Sequence, residues 1–423
     1  MEINTIIKEQ RLELEQIEKR EKIIAREKLN DAHAYLKHPN ILIITGIRRC
    51  GKSIFSYLLE KKHIFGYINF DDERLSGLRT EDLDRVLQAF YELYGDVKYI
   101  ILDEIQNIPK WELFANRLRR TKKVIITGSN STLLSGELAT HLTGRHLDIT
   151  LFPFSFREFL TLKDVRIEKS TTTKEKANIL VHLNEYLKLG GFPEVYIFGK
   201  ALLPKLYEDI LTRDIQLRHQ IKKGVELSKL GRYLLTNASQ EITFSKLARI
   251  IGIKHVSTIS NWISYFEQTF LIFLLERFDF KLKQQFIAPK KVYCIDTGMV
   301  DSLGFSFTEN KGRILENAVA IELQRMASSQ EDLDIYYWKN AQQYEVDFLL
   351  KKKNKIIQLI QVSYISSKDD IREREIKSLI KGGDALRCKN LLVLTWDYED
   401  TTMVDGRKIH FKPLWKWLLH DCI

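Results

Sequence analysis

Cysteine is scarce: four residues, Cys50, Cys294, Cys388 and Cys422, lie far apart and form no CxxC pair. That excludes a zinc ribbon and a disulfide framework and fits a reducing compartment. Long hydrophobic runs are also missing. The most apolar stretch, Phe270 to Leu275, is far shorter than the roughly 18 residues a membrane-spanning helix needs. The N-terminus from Met1 through Glu27 is dense in Glu, Lys and Arg, where a secretion signal needs an apolar stretch behind a short basic start. A cytoplasmic protein without a membrane partner is expected. Neither an internal repeat nor a low-complexity tract is visible. Apolar residues make up 44% of the chain and charged residues 29%, enough for real cores beneath a well-solvated surface. Basic residues outnumber acidic ones by ten, which favours a polyanionic partner such as nucleic acid or nucleotide.

At 423 residues the chain is too long for one ordinary core. Residues 2 to 37 carry spaced Ile and Leu among charges with neither Gly nor Pro, which predicts a helix ending at His38-Pro39-Asn40. Short β-branched runs then alternate with helical stretches: Ile41 to Thr45, Phe65 to Phe70, Tyr99 to Asp103, Val124 to Thr127 and Leu147 to Leu151. Strands separated by helices predict a parallel sheet in an α/β domain. A mostly helical part follows from Phe154 to Leu217, broken at Gly190-Gly191-Phe192-Pro193. From Glu226 to Phe278 three helical segments, the middle one Phe244 to Ile251, have a helix-turn-helix layout. After Pro289 strands return (Val292 to Ile295, Ile335 to Trp338, Val346 to Leu350, Ile356 to Val362, Leu391 to Thr395), with Lys351-Lys352-Lys353 as a hairpin tip. A separate C-terminal α/β domain is expected there.

Gly46-Ile47-Arg48-Arg49-Cys50-Gly51-Lys52-Ser53 fits G-x-x-x-x-G-K-[ST] between an apolar strand and a helical stretch, and Gly46 to Ile54 are the residues expected to hold the nucleotide. Glycines let the backbone curl so that its N–H groups face phosphate oxygens, and the following helix adds its positive end. Lys52 is expected to reach the β- and γ-phosphates of ATP, and Ser53 to ligate Mg²⁺. The strand Tyr99 to Leu102 delivers Asp103-Glu104 to the same sheet edge. Asp103 is expected to hold Mg²⁺, and Glu104 to polarise the attacking water, which favours hydrolysis over transfer to a metabolite. Ser129, after the strand Val124 to Thr127, stands where a γ-phosphate or that water is sensed, although Ser and Asn after a strand are also ordinary turn chemistry.

With these residues in view the chain resembles the bacterial and archaeal AAA+ superfamily ATPases that carry a poorly understood C-terminal region. The resemblance rests on Ile44 to Ser53, Asn69 to Leu75, Leu102 to Gln106 and Thr127 to Ser129. It continues in Leu142 to Arg145, Pro153 to Phe159, Gly190 to Glu194 and Arg213 to Ile215. It implies a P-loop AAA+ parallel-sheet domain with Ser129 as sensor. Arg145 becomes a candidate arginine finger, in its own or a neighbouring copy, with a surface arginine or a lid salt bridge as the other readings. The implied layout is an N-terminal charged helix (1–38), the ATPase core (39–155), a helical lid (156–225), a winged-helix-like segment (226–285) and an α/β nuclease-like domain (286–423). Asp71, Asp72 and Glu73 either support Mg²⁺ water or cap the next element.

The segment Thr243 to Gly252 followed by Ser257 to Ile263 puts small and polar residues at a helix start, where bases or phosphates are read; packing against protein is the alternative. DNA and a homo-oligomer are thus the macromolecular partners in view. Gly312 to Asn317, Glu345-Val346-Asp347 and Gln358 to Ser363 resemble the PD-(D/E)XK nuclease pattern, with Glu316 and Asp347 as acids. The third element departs from it. Gln361 and Ser363 replace a carboxylate and the water-orienting lysine, leaving Lys368 as the nearest downstream substitute, so an inactive nuclease-like domain is expected. Besides an ATPase that drives or switches its C-terminal half, an ATP-gated nuclease and a non-enzymatic ATP-sensing regulator remain open.

Overall fold

The computed structural model describes residues 2–134, 144–166, 172–304, 310–371 and 373–419. It divides into two compact units. The first comprises residues 1–153, 161–164 and 268–270, and the second 154–160, 165–267 and 271–423.

In the first unit five strands form one parallel sheet: β1 (Ile41–Thr45), β2 (Phe65–Asn69), β3 (Tyr99–Asp103), β4 (Lys123–Gly128) and β5 (His146–Thr150), in the order β2-β3-β4-β1-β5. The four central residues of β4 and all of β1 are buried, because helices cover both faces of a parallel sheet. α1 (Ile3–Arg20), α2 (Leu29–Tyr35), α3 (Lys52–Glu60), α4 (Leu83–Tyr94) and α5 (Trp111–Leu118) supply those helices. Ile43, Ile68, Leu102 and Ile126 share one core with Phe90 and Phe114. Every strand runs in the same direction, so Thr45, Asn69, Asp103 and Gly128 end at one edge.

The single N-terminal helix expected over 2–37 is two helices. α1 stops at Arg20 with Glu21 extended, and the chain between α1 and α2 buries Ile24 and Arg26. Arg26 donates to the Cys50 carbonyl at 2.9 Å and to the Phe152 carbonyl at 2.6 Å. Two buried carbonyls gain a charged donor there, which outweighs the helical propensity of the segment.

The second unit begins with helices, among them α6 (Thr173–Leu189), whose Thr172 and Glu175 form a capping box. α7 (Gly224–Thr236), α8 (Phe244–Ile251) and α9 (Val256–Gln268) follow. Thr243 caps α8 by accepting from the Lys246 N–H, and Gly252 at φ 81° ends it. β6 (Gln240–Ile242), β7 (Ile272–Leu275) and β8 (Lys290–Cys294) form an antiparallel sheet ordered β6-β8-β7. The strand expected to open the C-terminal domain is therefore the centre of this small sheet, because β6 and β7 take both of its edges.

A second sheet contains β9 (Leu333–Lys339), β10 (Glu345–Lys352), β11 (Lys355–Val362), β12 (Leu391–Thr395), β13 (Asp400–Val404) and β14 (Arg407–Pro413), ordered β13-β14-β12-β11-β10-β9. α10 (Lys311–Ala327) and α11 (Glu373–Leu386) pack on it. Lys353 sits at the β10–β11 turn with φ 55°. The Gly190-Gly191 break is a packing joint: a Cβ on Gly190 would lie 2.1 Å from Asp296 Oδ1, and Asp296 Oδ2 accepts the Gly191 N–H at 2.6 Å. Among the described residues no helix is long and apolar enough to cross a membrane.

Candidate functional site

The loop between β1 and α3 is folded by backbone conformations that its sequence allows. Gly46 has φ 147°, and a Cβ there would stand 2.1 Å from the Leu151 carbonyl oxygen. Gly51, at φ 95°, caps α3, while Arg49 accepts φ 65°. Ile47 and Cys50 are buried anchors, and Arg26 braces Cys50 through its carbonyl. Burial pushes the Cys50 thiol up, so it packs as an apolar group. Ile54 lies half-buried in the first turn of α3.

Lys52 is 5% exposed, and its Nζ donates to the Gly46 and Ile47 carbonyls at 3.1 and 3.2 Å. Glu104 Oε1 lies 3.5 Å from the same nitrogen. Burial opposes the lysine charge, but Glu104, Cys50 and Asp103 together outweigh it and hold the ammonium above its usual range. Asp103 is fully buried at the end of β3. Its Oδ2 accepts from the Tyr67 hydroxyl at 2.7 Å and its Oδ1 from the Thr127 hydroxyl, and the Ser53 hydroxyl is within hydrogen-bonding reach. Burial, then the charge of Glu104, raises the Asp103 carboxyl.

Glu104 follows at φ 51°. Its N–H donates to Thr127 Oγ1 at 3.2 Å, and its Oε2 accepts from Ser129 N at 3.1 Å, from Ser129 Oγ at 3.0 Å and from Gln106 Nε2. Burial works to raise this carboxyl, but Lys52 and these donors bring it below the usual range, so it is ionised at neutral pH. Lys52, Ser53, Asp103, Glu104 and Ser129 thus meet at the C-terminal edge of one sheet. Sequence reasoning gave no role to Tyr67, Thr127, Gln106 or Arg26. Thr127 was discoverable, being the last side chain of β4 before the loop, whereas Arg26 and Tyr67 carry no local signal.

The loop arginines and the acids after β2 also find their places. Arg48 Nη1 donates to Asp71 Oδ2 at 3.2 Å. Asp72 accepts the Arg74 N–H at 3.0 Å and caps the following turn, the structural alternative of the two open in the sequence. Arg145 stands apart. It precedes β5, whose His146 is in register with Ile41 and whose Thr150 is in register with Thr45. At about 3.3 Å per residue it lies roughly 16 Å along the sheet from the phosphate-binding edge, exposed, with Asn116 Oδ1 at 3.5 Å. That position is remote from the loop of its own chain. Leu142 and Thr143 of the same motif lie outside the described residues.

In the second unit Glu316 projects from α10, Glu345 and Asp347 from β10 and Gln361 from the end of β11, while Ser363 is buried just beyond. Lys368, the nearest basic residue downstream, belongs instead to an exposed turn. The lysine among these acids is Lys291, from β8 upstream, with Nζ 3.0 Å from Glu316 Oε1, 3.1 Å from Asp347 Oδ1 and 2.7 Å from Glu345 Oε1.

Three family models match the chain: an AAA domain over residues 38–160, a domain of unknown function (DUF8612) over 180–310 and another (DUF4143) over 311–417. The uncharacterized protein MJ1544 of Methanocaldococcus jannaschii is 37% identical over 96% of this chain and 93% of its own. An uncharacterized protein of Haemophilus influenzae is 29% identical over 89% and 94%. Among solved structures, the Walker-type ATPase PABY2304 of Pyrococcus abyssi aligns over 67% of this chain and 97% of its own, at 16% identity and a TM-score of 0.46. A phosphate-binding loop, a following acid pair and a parallel sheet in the order β2-β3-β4-β1-β5 thus coincide with the AAA match, and the chain belongs to the family of MJ1544, with an AAA-type P-loop ATPase domain as its N-terminal part.

Proposed function

We propose that the chain binds ATP with Mg²⁺ at the Gly46 to Ile54 loop, hydrolyses it, and uses the nucleotide state to switch its second unit. The convergence of Lys52, Ser53, Asp103, Glu104 and Ser129 at one sheet edge carries this reading. Lys52 binds the β- and γ-phosphates, exchanging the Gly46 and Ile47 carbonyls for phosphate oxygens. The Ser53 hydroxyl and the Asp103 carboxylate, already within reach of one another, are the hard oxygen donors that suit Mg²⁺, which when bound neutralises phosphate charge. Glu104, ionised and oriented by Ser129 and Gln106, accepts a proton from the attacking water. Arg145 fits a finger role only toward the nucleotide of a second copy, which makes a homo-oligomer part of the proposal.

For the second unit the reading is a winged-helix-like module, built from α7, α8, α9 and the β6-β8-β7 sheet, followed by a nuclease-like domain without cleavage activity. Lys254, His255 and Ser257 are exposed at the start of α9, and this favours contact with DNA phosphates. Loss of the basic side chain at Ser363 argues against an ATP-gated nuclease.

Titration calorimetry with ATP and Mg²⁺ tests the site. The parent chain is expected to bind, and Lys52→Ala to bind at least tenfold more weakly with its circular dichroism unchanged. Equal affinity in a folded Lys52→Ala chain would remove the assignment.

A further inference from the structure

Lys291 is 2% exposed, in the middle strand of the small antiparallel sheet. Burying an ammonium costs several kcal/mol unless its charge and its donors are matched. Both are matched here. An ammonium has three N–H donors, and three carboxylate oxygens lie 2.7, 3.0 and 3.1 Å away on Glu345, Glu316 and Asp347. Glu345 and Asp347 are two apart on β10 and share a face, while Glu316 comes from α10, so one nitrogen joins three elements. The oxygens are themselves positioned by further donors. The Tyr293 hydroxyl donates to Glu316 Oε1 at 2.7 Å, the Val362 N–H and the Gln361 amide donate to Asp347 Oδ2 at 2.9 and 2.6 Å, and Lys339 donates to Glu345 Oε2 at 3.0 Å.

The cluster is more than a group of acids. Gln361 is 7% exposed, with one amide end on Asp347, and its buried Oε1 has no hydrogen-bond partner among the described residues. The three converging carboxylates and, on the other side of Asp347, the uncommitted Gln361 amide oxygen are hard oxygen donors of the kind that Mg²⁺ and Mn²⁺ take. Such ions sit about 2.0 to 2.2 Å from oxygen, whereas the oxygens here stand at the longer distances that suit N–H···O bonds. The cage is spaced for a nitrogen.

We propose that the Lys291 ammonium occupies the position of a divalent cation in a carboxylate cage formed by Glu316, Glu345 and Asp347, with Gln361 backing Asp347, so that this site is closed to metal as long as Lys291 is present. The proposal rests on the cage geometry and is independent of both the nucleotide site and the nuclease-like reading of the domain. Burial opposes the charge on Lys291, yet Glu316, Tyr293, Asp347 and Glu345 together outweigh it and hold the ammonium well above the usual lysine range. Three elements are thereby tied together without a metal to be lost to a chelator.

The test is Mn²⁺ uptake by the full chain without nucleotide, read by equilibrium dialysis and electron paramagnetic resonance. Parent and Asp347→Asn are expected to take up equal Mn²⁺, because the cage contributes none. Lys291→Ala is expected to take up one ion per chain more than the parent, and the added Asp347→Asn change to abolish the gain. Lys291→Met, which keeps the apolar stem, is measured in parallel. If neither variant folds alone, millimolar Mn²⁺ is expected to restore the circular dichroism of Lys291→Ala. Mn²⁺ bound by the parent and lost in Asp347→Asn overturns the proposal. So does a folded Lys291 variant with no added ion, or variants that Mn²⁺ fails to restore.

Discussion

Glu104 is held by several constraints at once. A glutamate at φ 51° costs on the order of 1 to 2 kcal/mol in backbone strain, and the site offsets this with donors from Ser129, Gln106 and Lys52. The left-handed conformation turns its carboxylate away from the path of β3 toward the loop, while Asp103, one residue earlier, stays in the sheet and meets Tyr67 and Thr127. Adjacent acids thereby take different tasks. Ser129→Ala removes one of the two bonds from this residue and leaves its N–H in place. Since a hydrogen bond to a charged group is worth about 1.5 to 3 kcal/mol, hydrolysis is expected to fall about tenfold, with ATP affinity within about twofold of the parent. Phosphate release and ATP titration on the same variant check this, and a variant with unaltered turnover would leave Ser129 only a turn residue.

Among the elements, those with buried apolar runs were legible from composition alone. β1 and β3 run as expected, because a strand buried on both faces reads as an unbroken apolar stretch. The phosphate-binding loop was legible because its glycines occupy conformations that other residues resist. The break after α1 was hidden, since its cause is a pair of carbonyls remote in sequence that Arg26 satisfies. β13 and β14 were also missed: β13 is a half-exposed edge strand with Thr401 and Thr402, though Asp405-Gly406, both at positive φ, is a hairpin signal. Lys291 was invisible as a site residue because the spacing of its partners arises only from tertiary packing.

The joint between Gly190-Gly191 and Asp296 gives the element scale its pH dependence. Burial raises the Asp296 carboxyl to about 6, against the help of the Gly191 and Met299 N–H groups. A folded value above the unfolded one means that the native state holds the proton longer. The contribution of Asp296 to stability is then full below about pH 4, declines as pH rises toward 6 and is flat above it. The melting-temperature difference between the parent and Asp296→Asn is expected to shrink from pH 4.5 to pH 7.5, two conditions chosen roughly on either side of that transition. A constant difference would mean that Asp296 does not titrate in the fold.

For the whole molecule, the three matched regions and the two compact units argue for an ATPase domain joined to a second unit with its own sheets. A net positive charge of ten and the exposed basic start of α9 are the features on which the proposed DNA contact rests. Mg²⁺-dependent release of phosphate from ATP, followed with and without DNA for the parent, Lys52→Ala and Glu104→Gln chains, reads the proposal at its root. The parent is expected to release phosphate only with Mg²⁺, Lys52→Ala to be inactive through lost binding, and Glu104→Gln to retain ATP while releasing phosphate at least about a hundredfold more slowly, the range in which general-base catalysis contributes. Release by Glu104→Gln at the parental rate, or none from a folded parent that binds ATP, would show that this sheet edge does not hydrolyse the nucleotide.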